Sequence, residues 1–314
     1  MYACFPQVRI GAPLRYQGVS VFPLFNGFSK PVEYTLAQDA IGSGAVSVEE
    51  VSEAGSVPDL LVDNKGDLRV LFLEGEQLVG AKQDRILNTS VLIAAHSRTK
   101  VPVSCVERGR WQYRSRAFGA SGSHAPPKLR YLLKMSVGAS ALAARGHRAD
   151  QGKVWKEVAR QQSALGTPSA TGAMADTFGA QAEKIADFRT ELPYVEGACG
   201  LAVAVGKKIV AIDVFDKATT CRHLWERLLN GCVLDALEGD AEPGQAEVAD
   251  VEELLRTAAA MAWAPAAAVG EGKEYRASEG DQVHASALTL DEVPVHVSVV
   301  VGKEALRSKP RPPG

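Results

Sequence analysis

From Val19 to about Val106 the chain is built of short runs rich in Val, Leu and Phe, separated by turn residues, which is the pattern of antiparallel β-structure. The strands it predicts are Val19–Phe25, Ala45–Val51, Leu60–Val62, Leu68–Leu73, Arg85–Ile93 and Lys100–Glu107. Tyr34–Ile41 reads as a short helix stopped by Gly42, Ser43 and Gly44, and Asn64 to Asp67 as a hairpin turn. A β-sandwich or a strongly bent sheet would accommodate these elements. Ser115–Pro127 is rich in Gly, Ser and Pro and poor in apolar residues, so it reads as a flexible linker or lid.

Beyond it the period changes. Lys153–Leu165 and Thr171–Leu192 read as helices, the second with Met174, Phe178, Ile185, Phe188 and Leu192 on one face. Gly200–Val205 and Ile209–Phe215 flank Gly206, Lys207 and Lys208 as a β-hairpin apolar enough to be buried on both faces. A helix over Ala218–Leu237 carries a broad apolar stripe, and another is predicted near Val251–Met261. Strands Val283–Leu290 and Val295–Val301 precede a basic, Pro-rich tail. The fold class is therefore α+β: a β-rich part over 1–114, the connection over 115–127, an α+β part over 128–302, and a tail over 303–314 expected to be disordered.

Composition narrows this picture. A chain of 314 residues, 46% hydrophobic and 23% charged, can bury a substantial core without a metal or disulfide staple. A formal net charge of -2 argues against binding polyanions with the whole surface, and leaves room for a local basic patch. The five cysteines are odd in number and widely spaced, and none forms a C-x-x-C pair, so reduced thiols in the cytoplasm are expected. The sequence has neither a signal-peptide pattern at its start nor an apolar run of membrane-spanning length.

The polar residues that break the β pattern are the candidates for chemistry. Glu74, Glu76, Gln83, Asp84, Arg85, Asn88 and Ser90 crowd into a stretch that otherwise alternates like core strands. If Leu68 to Glu76 is one strand, Glu74 and Glu76 extend the face of Val70 and Phe72. Such groups line a cleft, or they form a buried, hydrogen-bonded network. In a cleft, Glu74 or Glu76 would act as a general base or accept ribose hydroxyls, with Gln83, Arg85, Asn88 and Ser90 orienting a ligand. Cys105 in VPVSCVE is a second catalytic candidate, although an unpaired cysteine is more often a small core residue.

Residues 108–134 hold Arg108, Arg110, Arg114, Arg116, Lys128, Arg130 and Lys134 with no acidic residue, interleaved with Trp111, Tyr113, Phe118 and Tyr131. This suits phosphate pairing and stacking on a base, with Glu107, Arg110 and Trp111 as binding candidates. It equally suits a solvated face, or one that pairs with the acidic stretch containing Glu238 and Glu247. Asp213 and Asp216 end a buried strand before a helix and read as caps of that helix. His296 alternates with Val295 and Val297 and should face away from them. The six histidines lack paired metal-ligand spacing, so no metal is expected.

The segments EGEQLVGAKQDRILNTSVL, VPVSCVERGRW, VGKKIVAIDVFD and ALTLDEVPVHVSVV together resemble a bacterial family, the ADP-ribosylglycohydrolase-and-rhodanese-phosphatase-associated protein domain. The resemblance runs over roughly Gly18 to Val301. It implies recognition or processing of ADP-ribose, NAD or a related phosphorylated metabolite, and assigns no catalytic residue. The leading expectation is nucleotide binding in a cleft lined by Glu74–Ser90 and covered by Arg108–Arg116. A non-enzymatic scaffold that meets a protein partner or a second copy of itself is the alternative, and a cysteine-dependent hydrolase or transferase the third. No membrane partner is expected, and nucleic acid has no strong signal.

Overall fold

Two runs with scarcely a polar residue, Val19–Phe25 and Gly200–Val205, lie far apart in sequence and pair with each other, antiparallel from Val19 opposite Val205 to Leu24 opposite Gly200. They found the larger of the two β-structures. The computed structural model describes residues 5–25, 31–52, 58–239 and 243–302. The expected tail over 303–314 lies outside them.

The chain opens with β1 (Arg9–Ile10), β2 (Leu14–Tyr16) and β3 (Val19–Phe25). It continues through β4 (Thr35–Leu36), α1 (Ala37–Gly42), β5 (Val46–Glu50), β6 (Asp59–Asn64), β7 (Val70–Phe72), β8 (Glu76–Gly80), β9 (Arg85–Leu87), β10 (Val91–Ile93), β11 (Ser97–Cys105) and β12 (Phe118–His124). Four helices follow: α2 (Pro127–Leu142), α3 (Gln151–Ala164), α4 (Met174–Ala180) and α5 (Ala182–Glu191). The last part is β13 (Gly200–Val205), β14 (Lys208–Phe215), α6 (Ala218–Ala236), α7 (Val248–Ala260), β15 (Ala264–Ala266), β16 (Lys273–Glu279), β17 (Val283–Leu290) and β18 (Val293–Val301). The protein is α+β, as its sequence pattern predicts.

The nine-stranded sheet runs β1-β3-β13-β14-β18-β17-β16-β15, with β2 sharing the β3 edge. One face packs Ile212, Val214, Val297 and Val299 with Val251 and Ala258 of α7. The other packs Val203, Ala211, Phe215 and Val300 with Leu129 and Leu133 of α2 and with Trp225 and Leu229 of α6. Strands β4 to β12 form a separate unit. Its six-stranded sheet, β12-β8-β9-β11-β6-β5, curls until the edge strands β12 and β5 meet, and β10-β7-β4 closes a side. Val46, Val48, Leu60, Val62, Leu87, Val101, Val103 and Phe118 fill the interior of this small barrel.

The structure departs from the sequence reading where polar residues interrupt a run. Leu68 to Glu76 is not one strand: the chain turns at Gly75, whose φ is +80°, so Glu74 and Glu76 do not share a face. A Cβ at Gly75 would also lie 2.9 Å from His124 Cε1, which makes glycine the residue that fits this turn. Arg85–Ile93 likewise splits into β9 and β10 around Asn88, Thr89 and Ser90. Asn64 to Asp67 joins strands of different sheets, so it is not a hairpin turn. Its Asn64 amide ties the corner instead, donating to the Leu68 and Ala94 carbonyls. Within 115–127, residues Phe118 to His124 form β12, hydrogen-bonded to β8.

Candidate functional site

The polar candidates separate into three groups. The innermost lies on the helix-facing side of the large sheet, where Asp213, Ser298, Ser286 and Arg276 stand opposite one another across β14, β18, β17 and β16. Helix α2 brings two cations down onto this band. Arg130 donates to both Asp213 oxygens, at 2.8 and 2.6 Å, and to Ser298 Oγ at 2.6 Å. Lys134, one turn on, donates to Glu74 Oε2 at 2.7 Å and Ser286 Oγ at 2.5 Å.

A hydrogen-bond series connects these pairs. Ser90 Oγ accepts from the Glu74 N–H at 3.0 Å and lies 2.8 Å from His296 Nδ1, whose Nε2 is 3.1 Å from Asp213 Oδ1. Burial lowers the His296 pKa, so its ring is neutral; its Nε2–H faces Asp213, and Nδ1 is left to accept from the Ser90 hydroxyl. Burial opposes ionisation of Asp213, yet the Arg130 charge and the hydrogen bonds from His296 and Arg130 hold its carboxyl well below the usual range. Burial pushes the Lys134 ammonium down to about 8, against the pull of Glu74. Glu76 faces another way, taking Arg227 Nη2 at 2.9 Å and the Leu73 N–H at 3.1 Å. Glu74, Glu76 and Ser90 are all buried.

Asn88 belongs to a second group. It donates to the His147 carbonyl and accepts from Ser104 Oγ at 2.6 Å, while neighbouring Thr89 joins the Glu274, His147 and Arg276 cluster. These contacts fix the β9–β10 corner against β16 and the segment after α2. Asp213 and Asp216 are not helix caps. Asp213 pairs across the sheet, and Asp216 accepts from the Tyr34 hydroxyl and the Val32 N–H, because α6 begins after Lys217, which makes no side-chain cap.

The third group gathers at one end of the barrel. Arg85 Nη1 donates to the Gln83 carbonyl and to Gln83 Oε1, which also accepts from Cys105 Sγ at 3.2 Å. Glu107 takes the Asp84 N–H, Thr171 Oγ1 and two hydrogen bonds from Arg110. Arg110 also donates to the Gly80 and Ala81 carbonyls and so pins the loop after β11. Above these groups Trp111 and Tyr113 are 46% and 52% exposed. Lys82 Nζ lies 5.2 Å from the Trp111 centroid and 5.0 Å from that of Tyr113, and Arg85 Cζ lies 5.9 Å from Trp111. Burial pushes the Cys105 thiol up, which disfavours the thiolate a nucleophile needs.

Gln83, Arg85, Cys105, Glu107, Arg110 and Trp111 therefore come together, while Glu74, Glu76, Asn88 and Ser90 serve other groups. Arg108–Arg116 lies at the barrel end, over Arg85. Lys128 of the basic stretch pairs within the chain, with Glu238 at 2.7 Å. The sequence reading missed Arg130, Lys134, Arg227 and Glu50 as members of polar groups. Spacing was the available signal for the first two, since 130 and 134 fall on the same face as the Leu129–Leu133 stripe of a helix. Among the described residues no cluster of three His, Cys, Asp or Glu could hold a metal ion, and no helix is long and apolar enough to cross a membrane.

A small barrel with a polar, aromatic-rimmed end, tied by buried ion pairs to the helices that cover a long antiparallel sheet, defines an α+β class of protein with a candidate ligand site at that end. The chain belongs to the ARG and Rhodanese-Phosphatase-superfamily-associated Protein domain family, ARPP-1, whose sequence model matches residues 7–300. The family's name links it to ARG and rhodanese-phosphatase systems. Comparison with curated proteins and with solved structures gives no match.

Proposed function

We propose that the barrel mouth binds a phosphorylated nucleotide of the ADP-ribose or NAD type. The observation that carries this reading is the pair of exposed rings, Trp111 and Tyr113, with the Lys82 ammonium near both and Arg85 beneath Trp111. Exposed aromatic rings offer a base a stacking surface, and stacking is worth about 1–3 kcal/mol per base. Lys82, with the exposed Arg108, Arg114 and Arg116 on the same loop system, supplies positive charge for a pyrophosphate. The family's link to ARG systems favours the same ligand class.

Isothermal titration with ADP-ribose, NAD and AMP tests this. At least one of the three binds, and Trp111→Ala weakens it about tenfold, the equivalent of about 1.4 kcal/mol. The same variant changes unfolding stability by less than about 0.5 kcal/mol, because the ring is exposed. Absence of heat and of tryptophan quenching with all three ligands would discard the reading.

A further inference from the structure

Glu50 and Arg85 meet inside the barrel although their strands, β5 and β9, are not neighbours in the sheet. Glu50 follows Val46 and Val48 on the inner face of β5, and Arg85 precedes Leu87 on that of β9, so both continue the apolar column of the interior at the end under Trp111. Their side chains are 3% and 0% exposed. The closest approach is 3.7 Å, from Arg85 Nη2 to Glu50 Oε1, which is too long for a hydrogen bond. Among the described residues neither Glu50 oxygen has a hydrogen-bond partner, and neither do Arg85 Nε and Nη2.

Two buried charges so placed are costly, because both have lost water, Glu50 has regained no hydrogen bond among the described residues, and Arg85 has regained only those that Nη1 gives to Gln83. The charge of a guest would decide whether it could fill the gap. A bare anion would satisfy Arg85 and be repelled by Glu50, and a cation the reverse. A neutral, planar edge with an acceptor beside an N–H donor satisfies both: the acceptor takes Arg85 Nη2–H and the donor gives to Glu50 Oε1. Trp111, exposed and lying over the Arg85 guanidinium, stands where the ring bearing that edge would enter.

We infer that Glu50 and Arg85 form a recognition pair for an amide or amino-heterocycle edge of the ligand, a role that rests on the nucleotide reading of the mouth. Two parts of the proposed nucleotides carry this chemistry, the amino face of adenine and the carboxamide of nicotinamide.

The test is calorimetry on the full chain with AMP, nicotinamide mononucleotide and ribose 5-phosphate. AMP or nicotinamide mononucleotide, whichever supplies the edge, binds at least tenfold tighter than ribose 5-phosphate. Glu50→Leu removes that preference and leaves the affinity for ribose 5-phosphate unchanged. Glu50→Gln, which keeps the side-chain volume and guards against a folding defect in the first variant, reduces the preference at least threefold. A preference that survives in a folded Glu50→Leu, the result expected if the rings alone select the base and only a water bridges the pair, overturns the recognition pair and leaves the nucleotide reading standing. Equal affinity for the three phosphates overturns both, because stacking on the base would then contribute nothing. If none of the three phosphates binds, both fall.

Discussion

At the sheet face, Arg130 and Asp213 exchange two hydrogen bonds of 2.8 and 2.6 Å, and Ser298 and His296 take up further capacity on the guanidinium and the carboxylate. At the barrel end under Trp111, Arg85 and Glu50 stand 3.7 Å apart with most of their polar atoms unmatched among the described residues. Both pairs are an arginine and a carboxylate, and both are buried. The first is closed by its neighbours except at Arg130 Nε, which has no partner among the described residues, and it ties α2 to β14. The second leaves both Glu50 oxygens and two Arg85 nitrogens without a partner among the described residues, the observation on which the proposed recognition pair rests. Burial does not distinguish these two pairs; the extent to which their hydrogen-bonding capacity is met does.

Substitutions can break or sharpen that contrast. The largest effect is expected from Arg130→Met, which strands the Asp213 carboxylate in the core and costs about 3–5 kcal/mol in urea-induced unfolding. The double change Glu50→Leu with Arg85→Met should go the opposite way, neutral or stabilising by about 1–4 kcal/mol, because it removes two unsatisfied charges together. A loss as large as that of Arg130→Met would erase the distinction between the two pairs.

A smaller effect belongs to Lys134. Its ammonium holds a proton up to about 10.5 when unfolded and only to about 8 in the fold. Between these values the unfolded chain binds more protons, so this group makes stability rise with pH across that window. Wild type should therefore gain stability relative to Lys134→Met from about pH 8 to 10.5, by at most about 1.4 kcal/mol per pH unit. Parallel stability curves for the two proteins would show that Lys134 keeps an ordinary pKa.

Strands and helices whose apolar pattern is unbroken were legible in the sequence. Val19–Phe25 carries the bounds of β3, and the Gly200–Phe215 hairpin and the Leu- and Trp-rich α6 lie where the pattern places them. Elements carrying buried charge were not. Helix α2 has Leu129, Leu133 and Val137 at helical spacing, but Arg130 and Lys134 beside that stripe made the segment read as a basic surface. Leu68–Leu73 contains β7, but its conditional extension to Glu76 and the single strand Arg85–Ile93 fail, because period-2 alternation carries no mark for a corner fixed by side-chain hydrogen bonds. The candidate residues of 83–111 were visible as a crowd of polar groups. Glu50 was hidden because it lies across the barrel from Arg85, and no local spacing reports a meeting across an interior.

The large sheet takes strands from both ends of the chain: β3 pairs with β13, which pairs with β14, and β14 with β18. The barrel strands, by contrast, are all supplied by one continuous stretch between β3 and α2. During synthesis from the N-terminus the barrel can therefore close early, and β3 can pair with β1 and β2 at once, while its other edge waits for β13, which emerges much later. Sheet pairing of such high contact order is slow. Until β13 arrives, one edge of this apolar strand is open, so the nascent chain carries its aggregation hazard at β3 rather than in the barrel.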